Sequence, residues 1–259
     1  MSRTRPLLIA LVALVALGAG AYLAYDNVLR GDSVAPLALP SDAPASEPSE
    51  AAASVDPTED PAASTDPVAS EGTGGSTDGV AGTWTVTTGS EAGYRVREQL
   101  ANLPAESDAV GRTSDVTGSV MVAASGDGAQ VTDGSFEVDT TTITSDEGRR
   151  DNRLRSEGLQ TDAFPSATFT LTQPVEVPAS ALAGDATDVT LVGDLTLHGV
   201  TQSVEIPAQA RLDGEQIQVA GAVTFPLSDY DITAPNVGGF IISIADEGAL
   251  EFLIVLERG

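Results

Sequence analysis

The sequence predicts an all-β domain, a sandwich or a barrel, carried behind an N-terminal apolar segment and an acidic linker. Three observations lead there. Short stretches of alternating polar and apolar residues recur through 81–259, among them "TWTVTT", "GYRVRE", "GSVMVAA", "GSFEVDT", "ATFTLT" and "VTLVGDLTLH". Turn residues punctuate them, as in "SGDG" at 125–128, "LDG" at 212–214 and "ADEG" at 245–248. Many strands at short spacing, with one helical interruption, argue against βαβ units. Ahead of position 81 the composition changes twice.

The chain starts with Arg3 and Arg5 before an unbroken apolar run, Leu7 to Tyr25, closed by Asp26 and Asn27. Nineteen residues of helix at about 1.5 Å each reach roughly 28 Å, close to the hydrocarbon thickness of a bilayer. Arginines before the run and acids after it place the N-terminus inside and the rest outside. Residues 1–25 therefore read as a single-pass transmembrane anchor. The alternative is a cleaved signal peptide, with Leu7–Leu17 as its apolar region and Ala19-Gly20-Ala21 as its cleavage site. Either reading exports the domain, to the outer side of the cell membrane or, after cleavage, as a secreted protein.

Residues 26–80 are rich in Pro, Ala, Ser, Asp and Glu, with eleven acids, one Arg and no aromatic residue. Such a stretch cannot bury enough apolar surface to offset the entropy of ordering it, so it reads as a disordered tether.

Within 81–259, the segment "GDLTLHGVTQSVEIP" predicts a hairpin. Leu191, Gly193, Leu195 and Leu197 alternate with Val192, Asp194, Thr196 and His198, the period of a half-buried strand. A two-residue turn at Gly199-Val200 sets Leu195 opposite Val204, Gly193 opposite Ile206 and Leu191 opposite Ala208. It also sets Asp194 against Glu205, a like-charge pair for the wet face to tolerate. The helical interruption is Asp146 to Gly158, "DEGRRDNRLRSEG", where Asp151 and Arg155 stand four apart as a favourable helical pair.

Composition narrows the chemistry. The chain has no Cys, no Lys, 12 Arg against 38 acids and a formal net charge of −26. No disulfide, thiolate metal site or thiol nucleophile is available. So acidic a protein does not fit nucleic acid, whose phosphates need cations. His198 is the only imidazole, which leaves no histidine cluster for a metal and no Gly-x-Ser-x-Gly elbow beside it. It reads as a structural strand-end residue on the polar face. "SGDGAQVTDG" lacks the spacing of an EF-hand and reads as a hairpin turn. No enzyme activity, cofactor or metal is expected.

Four of the nine arginines of 81–259 fall at Arg149, Arg150, Arg153 and Arg155. One reading is self-compensation by Asp146, Glu147, Asp151 and Glu157. The other is an anion-facing lid that contacts a lipid headgroup.

Four motifs in order across this domain resemble the YceI-like family. They are Trp84 in "GTWTV", "RRDNRLRS" at 149–156, Phe164-Pro165 in "TDAFPSATFT", and "GDLTLHGVTQSVEIP". "GYRVREQLANLPAESDAVGRTSDVTGSV" is similar to the version in actinobacterial members. A departure follows the last long hairpin, where many members place an Arg and this chain reads "FPLSDYDI". The resemblance implies a lipocalin-like, up-and-down antiparallel barrel of eight strands that holds a long isoprenoid or related apolar lipid. The inward set read from the alternation is Val120, Val122, Phe136, Val138, Phe169, Leu171, Leu195, Leu197, Val204, Ile206, Val223, Phe225, Phe252 and Ile254. These residues line a cargo cavity in a lipid carrier held to the membrane by its N-terminal helix. The alternative is a barrel with a filled core that acts as a non-catalytic envelope interaction module.

Overall fold

A computed structural model describes residues 34–40, 79–100, 106–234 and 241–259. The anchor or signal reading of 1–25 lies outside these residues. Among the described residues no helix is long and apolar enough to cross a membrane.

Twelve antiparallel strands make eight staves. The first is β1 (Gly82–Val86) continued by β2 (Glu91–Leu100), and the second is β3 (Glu106–Thr113) continued by β4 (Val116–Ser125). Then come β5 (Gly128–Asp139), the two-residue β6 (Thr144–Ser145) on the edge of β3, and a fourth stave of β7 (Ser166–Leu171) and β8 (Val175–Val177). The long strands β9 (Thr187–Leu197), β10 (Val200–Asp213), β11 (Gln216–Pro226) and β12 (Ile241–Arg258) complete the set. Consecutive staves pair in turn, and β12 closes the ring by pairing with both β1 and β2. The all-β, up-and-down, eight-stave barrel implied by the resemblance is the architecture observed.

The breaks in the staves have local causes. Between β1 and β2 the chain turns at Gly89, with φ +93°, where a side chain would be strained. Ser90 ties that turn to the closing strand: its hydroxyl accepts from the Val255 N–H at 2.9 Å and lies 2.9 Å from the Thr87 carbonyl.

The β9–β10 hairpin keeps its expected faces, but its register is shifted by two. Leu197 pairs with Val200, Gly193 with Val204 and Leu191 with Ile206. The turn is His198-Gly199, both at positive φ (+52° and +76°), the signature of a type I′ turn that matches strand twist. Asp194 therefore faces Ser203, Glu205 faces Val192, and the like-charge pair is not formed. His198 is not on an open polar face. It is buried, edge-on to Phe164 with ring centroids 4.6 Å apart. Its Nδ1 lies 3.1 Å from the Tyr230 carbonyl, which can only accept, so Nδ1 carries the hydrogen.

The helical interruption runs over 148–158, close to the expected span, but is α-helical only in its first part. Helix α1 (Gly148–Arg153) is capped by the Glu147 carboxylate on the Arg149 N–H and widens into a π turn at Leu154–Gly158. The Asp151–Arg155 pair is not made. Asp151 is buried and accepts from the Ser145 N–H and hydroxyl at 3.0 and 2.6 Å, while Arg155 donates to the Ile143 carbonyl at 3.1 Å. A one-turn helix, α2 (Ala179–Leu182), joins β8 to β9.

Residues 34–40, inside the stretch expected to be an unattached tether, rest on the outer wall. Arg95 donates to the Val34 carbonyl at 2.8 Å and Arg112 to that of Ala35. Both arginines also reach Glu251, at 3.4 and 2.8 Å, which is only 2% exposed. Gly93 lies between them in the register, and a Cβ there would stand 2.1 Å from the Gly111 carbonyl.

Candidate functional site

The inward faces of the staves do not meet in a filled core. They enclose two cavities of about 1320 and 1110 Å³ of atom-free space, mouths included. Each leaves about 140 Å³ for the centres of water-sized spheres, where one water needs roughly 10–15 Å³. The wall of the first is aliphatic and aromatic apart from Thr168 and Arg211. An apolar space of this kind stays dry and favours an apolar occupant.

Of the residues read as inward-facing from alternation, Val120, Val122, Phe136, Val138, Phe169, Leu171, Leu195, Ile206, Phe252 and Ile254 line the first cavity, and Leu197 and Phe225 line the second. Val204 and Val223 pack against the core clusters without lining either space. Ala92, Val138, Ala167 and Leu250 line both cavities. These four, two of them alanines, form the wall that the two cavities share.

Gly193 is buried but not free wall. A Cβ built there would stand 2.4 Å from the Thr170 carbonyl and 2.5 Å from Phe169 Cζ, so the Phe169 ring fills the space above it. Trp84 packs in one core cluster with Val80 and Leu256, which line the first cavity. It is 3% exposed, its indole N–H donates to the Val80 carbonyl at 2.8 Å, and the Arg258 guanidinium lies 5.5 Å from its ring centroid.

The second cavity has a polar rim. Arg150 and Arg153 line it, whereas Arg149 and Arg155 do not, so the arginine cluster divides. Arg150 meets the buried Glu98 carboxylate at 2.7 Å and also pairs with Asp146. Burial works against the Arg150 charge, but these two acids more than offset it and raise its pKa. Tyr94 stands beside them with its hydroxyl buried and without a hydrogen-bond partner. Burial is the largest influence on this phenol and pushes its pKa up to about 12. Tyr94 and Glu98 were absent from the sequence-derived set. The signal was present: in "EAGYRVREQL" Ala92, Tyr94, Val96 and Glu98 share one parity, which puts an acid on the inward face. The "SGDG" segment forms the β4–β5 turn, with Gly126 at φ +58°.

Comparison with known proteins agrees with this architecture. A family model described as a YceI-like domain matches residues 84–256. A UPF0312 protein of Vibrio parahaemolyticus is 34% identical over 111 residues, 40% of this chain and 55% of the relative. One from Shewanella denitrificans is 33% identical over 115 residues, 41% and 56% of the two chains. The chain thus spans about half the length of these relatives. Among solved structures, a polyisoprenoid binding domain from Saccharophagus degradans, implicated in plant cell wall breakdown, superimposes with a TM-score of 0.53. It is 19% identical, with 68% of this chain and 98% of that one covered. At that identity the likeness is one of fold.

Proposed function

Since this chain belongs to the YceI-like family, we propose that it binds a long isoprenoid or related apolar lipid inside the barrel, as a carrier or reservoir in the cell envelope. The observation that carries the proposal is the pair of adjoining apolar cavities, which share Ala92, Val138, Ala167 and Leu250 in their walls. The polyisoprenoid binding described for the similarly folded Saccharophagus degradans domain supports the choice of ligand class. The reading is of a binding protein, without a reaction.

Energetics favour exchange over permanent capture. Burying a CH₂ from water is worth about 0.8 kcal/mol, but a lipid in a bilayer is already out of water, so transfer into the barrel is nearly isoenergetic on that count. The tail would occupy the cavities, and a polar head would sit at the rim of the second, where the Tyr94 hydroxyl and Arg150 offer donors. In this reading the 1–25 helix holds the domain on the outer side of the cell membrane, or releases it there after cleavage.

Native mass spectrometry of the purified barrel tests the proposal. An added mass should be present that organic extraction identifies as a long isoprenoid. A barrel that is empty after expression in its own host, and that takes up no added polyprenol, would overturn the reading.

A further inference from the structure

The barrel wall is hydrogen-bonded stave to stave except along two stretches: one between β10 and β11, whose ladder stops at Ala208 opposite Gly221, and one that follows β7. β7 pairs with β9 as far as Leu171 opposite Gly193. Thr172 and Gln173 then both donate to the Val192 carbonyl, at 2.9 and 3.4 Å. Beyond them Pro174 has no N–H to give, and the stave leaves its neighbour. β8 pairs only with β5, and the Thr187–Val192 half of β9 pairs only with β10. Among the described residues no ladder joins β8 to β9.

What separates inside from outside along this seam is a pair of valines. Val175 and Val189 line the first cavity and also line a groove on the outer surface, beside Glu176 and Asp188. Helix α2 lies at the end of the gap, packed against β10 and β5. Ala181, 1% exposed, and Leu182 belong to the cavity wall. The helix is a single turn with no side-chain cap, bounded by Pro178 and by Gly184 at φ +98°. A lone turn is marginal by itself; the apolar contacts of Ala181 and Leu182 hold it, with the Ser180 hydroxyl 3.2 Å from that of Thr187 on β9. Opening this stretch breaks no ladder hydrogen bond, and of the two unpaired stretches it is the one where cavity-lining side chains also line an outer groove. Val80, elsewhere in the same cavity's wall, is tied down by the Trp84 indole N–H on its carbonyl.

We propose that the seam between β8 and β9 is the portal through which an apolar ligand enters and leaves the barrel, with α2 as its lid. This rests on the ligand-binding reading above and adds a route to it. The chain has no cysteine, so a clamp can be placed cleanly. Glu176→Cys with Asp188→Cys puts two thiols on exposed positions either side of the seam. A short bismaleimide with a cleavable centre then bridges them in the full chain.

The probe is diphenylhexatriene, which fluoresces once it is out of water, followed by stopped flow. Clamping should slow both uptake and release by roughly tenfold or more, as for a gated site, while leaving the final occupancy unchanged. Cleaving the bridge should restore both rates. Leu182→Ala, which loosens the lid, should accelerate both without the clamp. Equal rates in clamped and cleaved protein overturn the portal and place entry at a barrel end. Unchanged rates in Leu182→Ala overturn the lid. Absence of uptake by any form, wild type included, would sink the ligand-binding reading and the portal with it.

Discussion

Replacing Leu195 by Asp should damage the barrel far more than replacing its neighbour Thr196. Leu195 is 3% exposed and lies in the first cavity wall opposite Phe169. Removing its burial costs about 1.5–3 kcal/mol. The new carboxyl has no partner there and would stay protonated. Holding a group of pKa about 3.9 neutral at pH 7 costs about 4 kcal/mol, at roughly 1.4 kcal/mol per unit. A total near 6 kcal/mol lowers the melting temperature of a domain this size by on the order of 15 °C, at about 2–4 °C per kcal/mol. Thr196 points outward, and Thr196→Asp loses its 2.8 Å hydroxyl contact with Thr201, worth about 1 kcal/mol. Circular-dichroism melts of the two variants at pH 7 measure the difference. The pH dependence is a second check. The buried Asp has its folded pKa raised above its unfolded value, so the deficit of Leu195→Asp relative to wild type should shrink as pH falls toward 4. Equal melting temperatures, or a deficit independent of pH, would refute the assigned facing.

Three further outcomes are expected. Gly193→Phe should lower the melting temperature by several degrees along with ligand occupancy, because its Cβ meets the Thr170 carbonyl at 2.4 Å; full stability would show that Phe169 yields its place. Tyr94, with a folded pKa of about 12 against an ordinary value of about 10, should resist ionisation in an ultraviolet titration. Its contribution to stability should be complete below pH 10 and vanish as pH rises through 12. Deleting residues 34–40 removes two carbonyl acceptors from Arg95 and Arg112. That loss should cost about 1–3 kcal/mol, read as a melting point several degrees lower, and an unchanged value would make the contact incidental.

Facing was legible in the sequence because a period of two survives a shift of two. The β9–β10 hairpin turns one residue earlier than its glycine suggested, and Leu195 and Ile206 still point inward. The turn itself was not legible, since it asks a histidine to adopt positive φ. Parity also fails at bulges. Counting back from Phe136 by twos gives Gly134, Thr132 and Gln130, but an irregularity beside Met121 and Val122 shifts the inward set to Val131 and Ala129. The hollow interior depends on summed volumes around eight staves, which no single strand reveals. Spacing within 149–155 carried more than was taken from it. Arg150 and Arg153 stand three apart on one helix face and are the two that reach the cavity. In the acidic stretch before the barrel, "VAPLALP" was the aliphatic exception, and it is the part that docks.

The closing strand sets the order of events during synthesis. β12 supplies the partners of β1, β2 and β11, and Ser90 alone reaches 165 residues ahead to Val255. Until the last twenty or so residues leave the ribosome, two bare strand edges stand open to other chains. The ring can be completed only once β12 has been made, through contacts far apart in sequence, which are the slowest kind to form. A chain truncated before Ile241 is therefore a sheet with two open edges and no means of becoming a barrel.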